Sequence, residues 1–529
     1  MRKCLNRAAA IISAAAVSLG YMMPFLSEAA VISPDSAADD IVCSLSVPDS
    51  LTLNGVEDML SPDVLNTAEM SELIQGDEKY PSKFDMRGVL PLTAVKNQET
   101  FGTCWAHSAA ASAETSIIDR LPNIDLSEFH TAYCAYLGID QIDSMETDPK
   151  KIMSVGGSSE IVVNLWSQWV GPVNESKLRY GDINALNDYV KMYDIKYDSD
   201  YHLENAYMFD YDRMRTNKDY VDSLVKHFVT NGQAVDVAFH SDSSANYSSE
   251  HVCTKSKRPP RFSNHSVVIV GWDDDFPASY FKNAPEHDGA WLVKNSWGTD
   301  LGDDGFVWIS YDDPSLGEFA VFELGDKYNY STNFHHDTFV PNQSLSIFDS
   351  GEENTPSYMA NIFYNDETDQ HIEAISTYIR QPETEYEITV YTDLKDRKDP
   401  SSGTPSSVTK GVSHYTGYFT IPLDEAVAVK YGTDFSVVVK LYNKETTFII
   451  PIETAMYVTD DRDGEKTNIG SNTTEDGVRN NTNRGESFFS ADGETWFDVV
   501  DDEETYGDAE ENAIYTNLKS NLYFGIEDD

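Results

Sequence analysis

A thiol, an imidazole and a carboxamide stand in three short frames, in an order that suits a nucleophile, its base and its orienter. Cys104 lies in Gln98-Glu-Thr-Phe-Gly-Thr-Cys104-Trp105-Ala106, His265 in Asn264-His265-Ser266-Val267, and Asn295 in Lys294-Asn295-Ser296-Trp297-Gly298. A free thiol with a pKa of about 8.5 is mostly protonated at neutral pH, so a cysteine nucleophile needs a cation or a helix N-terminus beside it. An Asn carbonyl that accepts one imidazole N–H fixes the ring and leaves the other nitrogen to face sulfur. Gln98 can donate its amide to a developing oxyanion alongside the Cys104 backbone N–H. Such a set would carry out acyl transfer.

The elements that must position these groups are legible too. From Cys104 to Arg120 there is no Gly or Pro, and small or apolar residues at 106, 109, 110, 113 and 117 follow helical spacing. This predicts a buried helix with Cys104 in its first turn, where the sulfur feels the positive end of the dipole. Ser266-Val-Val-Ile-Val-Gly-Trp272 is apolar, β-branched and short, and reads as a buried strand with His265 at its start. Asn295 closes a second such run, Ala290-Trp-Leu-Val-Lys294. Adjacent strands would present His265 and Asn295 side by side.

These frames resemble the papain-type (C1 family) cysteine peptidases over roughly residues 81 to 325. Further segments carry the likeness: Pro81-Ser-Lys-Phe-Asp85-Met-Arg87, Leu126-Ser127-Glu128 with Cys134, Gly156-Gly157, and Gly302-Asp-Asp-Gly305-Phe. The resemblance implies Cys104 as nucleophile, His265 as base and acid, Asn295 as orienter and Gln98 as oxyanion donor. It implies that Gly156 and Gly157 form the edge that pairs with substrate backbone, and that Trp297 shields the His–Asn bond from water. It also implies an α+β fold with two lobes, one helical and one β-barrel-like. Departures exist. The family usually has a cysteine three before the nucleophile, bonded to one just before the Gly-Gly pair, and here those positions hold Phe101 and Ser154. Both partners being missing together, packing is expected to replace the crosslink. Cys134 keeps its place without an evident partner, Cys43 and Cys253 being the only candidates, and is expected to be a free, buried thiol. His107 replaces a common Phe and is read as structural, one helical turn from Cys104.

Residues 2 to 7 carry Arg2, Lys3 and Arg7, residues 8 to 26 are apolar and small, and Ser27-Glu-Ala29 or Glu28-Ala-Ala30 suits signal peptidase. This predicts a signal peptide over 1–29 and an extracellular protein, with no membrane span after its removal. Residues 30–80 read as a propeptide or spacer, and 81–328 as the peptidase domain. The formal net charge is −51, which repels nucleic acid and anionic membranes and reads foremost as a solvated acidic coat. Five cysteines, one of them in the leader, make no disulfide framework. No HExxH occurs and His335-His336 reads as a lone exposed pair, so neither a metal nor a cofactor is expected.

Beyond residue 330 the pattern changes to strands. Tyr386, Ile388 and Val390 alternate with Glu385, Glu387 and Thr389, and Tyr415–Leu423 and Phe435–Leu441 follow, with turns rich in Gly, Pro, Ser and Asp. This predicts an all-β sandwich over 335–500 and an acidic segment over 501–529. The sandwich resembles the lectin-like domain of some secreted bacterial papain-type peptidases. Glycans or a surface polymer are its candidate partners, beside peptide substrates for the first domain. Tyr415, Tyr418 and Trp496 are read as packed in its core before being read as sugar platforms. Asp461-Arg-Asp463-Gly464 has too few oxygens for a calcium loop. A transpeptidase, or a binding protein with a dead peptidase domain, remains the alternative to hydrolysis.

Overall fold

The computed structural model describes residues 80–525, apart from 136–148, 155, 213–214, 242–245, 248–251, 258–262, 337–342, 347–354, 447, 455–456, 460–465, 469–472, 475–476, 479–483, 500–514 and 519. The leader, the 30–79 segment, Cys43, the Asp461–Gly464 motif and most of the acidic C-terminal segment lie outside the described residues. The described chain falls into two compact units that meet in sequence at Asp326 and Lys327.

The first unit is built around a central helix, Cys104–Ile117, in which every residue but Ser116 is buried. Its run of alanines lets the helix approach its neighbours closely, while Ser112 and Thr115 return their hydroxyls to backbone carbonyls. The helix ends three residues short of the predicted Arg120. Pro122 disfavours the α conformation at Leu121, and the chain leaves in a turn closed by Arg120 N–H on the Ile117 carbonyl at 3.0 Å. Shorter helices, Glu128–Cys134 and Ser159–Ser167, pack beside it to complete a helical lobe.

The other lobe is a sheet. Strand Tyr201–Phe209 pairs with Gly317–Asp326, which pairs with Val235–Phe239, then His265–Asp273, Ala290–Lys294 and Phe306–Ser310. The two strands predicted to carry His265 and Asn295 are antiparallel neighbours, with Val268 opposite Lys294 and Trp272 opposite Trp291. Both are buried apart from Asp273 at the end of the first, which is why they read as continuous apolar stretches without alternation. Strand Lys83–Asp85 adds to the His265–Asp273 edge. There Trp272 stacks on Phe84 at 5.3 Å, and its indole N–H donates to the Pro81 carbonyl at 3.0 Å.

The second unit is all β. One sheet runs in the order 404–413, 384–392, 434–442, 357–364, 487–490, 497–498. A second pairs 370–379 with 417–429 and 520–525. Ile372, Ile375, Ile379, Ile421 and Val429 of the second sheet meet Met359, Ile388, Val390, Phe435, Val437 and Val439 of the first in one apolar cluster, which defines a sandwich. Tyr418 is fully buried, and Trp496 is half-buried with its N–H on Ser401 Oγ at 3.2 Å. His336, expected to be exposed, lies flat on Phe363 at 4.5 Å and bonds the Ile362 carbonyl at 2.8 Å.

Replacing Trp272 with Ala removes a buried indole and the anchor of the 81–85 segment. It should destabilise the protein by about 3–5 kcal/mol and raise hydrogen exchange at Lys83–Asp85, measured by denaturant unfolding and exchange mass spectrometry.

Candidate active site

The thiol sits where the helical lobe meets the sheet lobe. Cys104 is the first residue of the central helix, and Thr103 before it offers no side-chain cap because its hydroxyl bonds Tyr180 Oη at 2.6 Å. The Ala106 and His107 N–H groups turn back instead on the Thr103 carbonyl, both at 3.1 Å. Burial pushes the Cys104 thiol up to about 11, against which the backbone N–H groups of Ser266, Trp105 and Cys104 favour the thiolate. The Ser266 contact brings the histidine strand to the sulfur, since Ser266 directly follows His265.

His265 is buried, and its Nε2 lies 2.8 Å from Asn295 Oδ1. The same oxygen accepts the Ser296 N–H at 2.8 Å, which fixes the amide so that oxygen, not nitrogen, faces the imidazole. Oxygen can only accept here, so the neutral ring carries its proton on Nε2 and leaves the Nδ1 lone pair free to take a proton. Trp297, the most exposed part of the site at 38%, stacks over the ring with centroids 4.5 Å apart. Burial drives His265 down to about 4, with the Asn295 bond opposing it and the charge of nearby His107 adding to it.

Gln98 reaches the site from the loop before the helix. Its carbonyl oxygen accepts Ser296 Oγ at 2.7 Å and its amide donates to the Phe101 carbonyl at 2.8 Å, leaving one amide proton uncommitted. Tyr180 Oη holds the Gln98 backbone carbonyl at 2.8 Å. Gly157 lies against Trp105, so closely that a Cβ there would come within 2.3 Å of the indole. Gly156 is in the left-handed region at φ 91°. The neighbouring loop is tied to the Cys104 loop by the Gly102 N–H on the Met153 carbonyl at 2.9 Å. Phe101, at the position without a crosslink, packs edge-on to Phe129 and Tyr180. Cys134 is buried and unpaired among the described residues.

His107 does not join the site. Its Nδ1 bonds the Thr103 carbonyl at 2.9 Å and its ring meets Tyr180 edge-on at 4.9 Å.

Several groups escaped the sequence reading. Behind Asn295, Lys96 bridges Glu114 (3.3 Å), Asp125 (2.7 Å) and Glu128 (2.6 Å), and Lys294 bonds Thr93 at 2.9 Å. Burial lowers Lys294 to about 8. A lysine ending an apolar strand immediately before the Asn frame was the one local signal of this network. Ser296 and Tyr180 gave none, because their roles depend on contacts across the fold.

Comparison with known proteins places these features in two families. Residues 80–320 match the papain family cysteine protease model and residues 344–511 the lectin-like domain model. The chain thus carries a papain-family cysteine protease domain followed by a lectin-like domain. It is similar to a clostridial cysteine protease, Cwp84, with a TM-score of 0.61 at 20% identity, covering 84% of this chain and 100% of that one. A second structure, of the cysteine protease and lectin-like domains of Cwp84, a surface layer associated protein of Clostridium difficile, aligns with 85% of this chain and 90% of its own. At that identity the likeness establishes the fold, a papain-like protease followed by an all-β lectin-like domain. Among curated relatives, a cysteine protease of Blomia tropicalis is 24% identical over 262 residues, covering 47% of this chain, and a viral cathepsin of Adoxophyes honmai nucleopolyhedrovirus is 26% identical over 235 residues, covering 43%. The chain spans 67% and 57% of their respective lengths.

In Cys104→Ala protein, where no thiolate can pair with the imidazole, His265 should titrate near 4 by NMR. Adding Trp297→Ala readmits water, weakens the desolvation that lowers the pKa, and should move that midpoint upward toward about 6.5.

Proposed function

We propose that this protein is a secreted cysteine peptidase that hydrolyses peptide bonds through Cys104, His265 and Asn295, with Gln98 and the Cys104 N–H as oxyanion donors. The observation that carries this reading is the Asn295-fixed His265 whose strand touches the sulfur through Ser266. In the resting site burial favours neutral thiol and neutral imidazole. As substrate binds, the thiol proton passes to His265 Nδ1 and sulfur attacks the peptide carbonyl. The new oxyanion takes hydrogen bonds from Gln98 Nε2 and the Cys104 N–H. The imidazolium then protonates the departing amine as the C–N bond breaks, and water activated by His265 hydrolyses the thioester. Gly156 and Gly157 line the cleft as the edge for substrate backbone, and Trp297 keeps water from the His–Asn bond.

The same reading assigns 1–29 to a signal peptide, 30–80 to a propeptide or spacer, 81–328 to the peptidase, 335–500 to the sandwich and 501–529 to an acidic C-terminal segment, of which 520–525 adds a strand to the second sheet. Its support is the leader's composition and the likeness to a surface layer associated protease. The sandwich is assigned to binding glycan or a surface polymer, on its lectin-like match.

Cys104→Ala should abolish cleavage of casein and labelling by an E-64-type epoxide. Gln98→Ala should keep the labelling yet lower kcat by about 10²–10³. Retention of full turnover by Cys104→Ala defeats the assignment.

A further inference from the structure

Behind Asn295 the structure contains a cavity of about 20 Å³, and His107, Glu114, Glu128, Lys96, Lys294 and Asn295 are among the residues that line it. The central helix 104–117 and the helix 128–134 face it from the helical lobe, and the strands 265–273 and 290–294 face it from the sheet lobe. It therefore crosses the seam on which the reacting residues sit.

Most polar atoms around this cavity are already committed. Lys96 Nζ donates to Glu114 Oε1 at 3.3 Å, to the Leu126 carbonyl at 3.0 Å and to Glu128 Oε1 at 2.6 Å. The second Glu114 oxygen takes the Thr93 hydroxyl at 2.5 Å, and the Ser108 hydroxyl donates to the Trp105 carbonyl at 3.1 Å. Two buried acceptors are left over. Nδ1 of His107 meets the Thr103 carbonyl, which can only accept, so the neutral ring carries its proton there and presents a lone pair at Nε2. Neither His107 Nε2 nor Glu128 Oε2 has a hydrogen-bond partner among the described residues. The two residues are 5% and 1% exposed, and a buried acceptor left unpaired is costly. A donor is left over as well. Lys294 Nζ gives one hydrogen to Thr93 Oγ1 at 2.9 Å and, charged or neutral, has at least one more to give.

The leftover groups define what fits. An anion would meet two acceptors, and a cation would meet two lysines, so neither sign of charge suits the cavity. A neutral molecule with two donors and an acceptor does suit it, and about 10–15 Å³ is room enough for one water. We propose that this cavity binds one water that donates to His107 Nε2 and Glu128 Oε2 and accepts from Lys294 Nζ, and that through it His107 is a positioning residue for the active site. About three hydrogen bonds is the usual complement of a buried water. His107 lies three residues after Cys104 on the same helix, Lys294 directly precedes Asn295, and Glu128 opens the neighbouring helix. The water thus ties the element that carries the thiol to the element that carries the orienter. A slip of one lobe against the other breaks at least one of its bonds. A phenyl ring at position 107 would offer no lone pair and would leave Glu128 Oε2 without this bridge. The positioning role rests on the peptidase reading; the water does not.

The test has two arms. A high-resolution crystal structure of full-length Cys104→Ala protein should show one ordered water within about 3.2 Å of His107 Nε2, Glu128 Oε2 and Lys294 Nζ. A dry cavity, or a water that misses His107 or Glu128, overturns the site. In the active enzyme, His107→Leu removes the acceptor and should lower kcat about tenfold with KM little changed, since the glycine edge for substrate is untouched. His107→Gln, whose carboxamide oxygen can accept in place of Nε2, should recover most of that loss. Full kcat in His107→Leu, or no recovery in a folded His107→Gln variant, overturns the positioning role. Should His107→Leu fail to fold, the water in the Cys104→Ala crystal and the kcat of His107→Gln decide. Absence of both cleavage and epoxide labelling in the wild type overturns the peptidase reading and the positioning role with it, while the crystal structure still decides the water.

Discussion

The hydrogen bond between His265 Nε2 and Asn295 Oδ1 is the constraint on which the site depends, because it alone decides which imidazole nitrogen is free. Its geometry is set far from the sulfur. The register of strands 265–273 and 290–294 brings the two residues to one end of the sheet. The Asn295 N–H is held by the Gly305 carbonyl at 3.1 Å. Gly305 sits at φ 93°, where a Cβ would meet Val95 at 2.5 Å and the Gly298 carbonyl at 2.9 Å. The glycine-bearing turn after the Asn frame is therefore part of the positioning apparatus, since a larger residue there would push the Asn295 backbone off its mark.

Much of this was readable in the sequence because it is encoded locally. A run of alanines, two apolar β-branched stretches and three polar frames suffice to place a helix start beside two strand ends. The helix end was misjudged by three residues because a cap formed by a turn before Pro122 leaves little pattern. Ser296, Tyr180 and Asp236 were not legible. Each acts through one partner more than seventy residues away in sequence, as Ser296 does on Gln98 and Ser159 on Asp236, and no spacing rule reports such a meeting. The alternation that predicted the sandwich strands arises because one face of each strand is buried, and His336 was misread because no periodicity surrounds it.

The loss of a family crosslink between the two active-site loops has a visible substitute. Phe101 fills the space against Phe129 and Tyr180, and the Gly102 N–H on the Met153 carbonyl closes the gap between the loops. Aromatic packing and a backbone bond constrain the folded state, whereas a disulfide acts largely on the unfolded chain. The loops are thus held without a disulfide near Cys104, and Cys104 keeps no disulfide partner beside it among the described residues.

Two buried groups of charges lie near the candidate site, one beside Asn295 and one whose Asp236 acts on Cys104. Behind Asn295, Lys96 and Lys294 meet Glu114 and Glu128; burial alone would raise Glu128, but Lys96 holds it below its ordinary value. In that group Lys96 is paired with three acids, so much of its desolvation is offset internally and it can back the strand that carries Asn295. On the other side, the charges of Glu160, Asp210 and Asp236 act with burial to raise Glu318, and among the described residues Arg215 opposes them at Asp210. Buried acids that lack a matching positive charge are instead driven toward their protonated form, as burial does to Asp210 and Asp236.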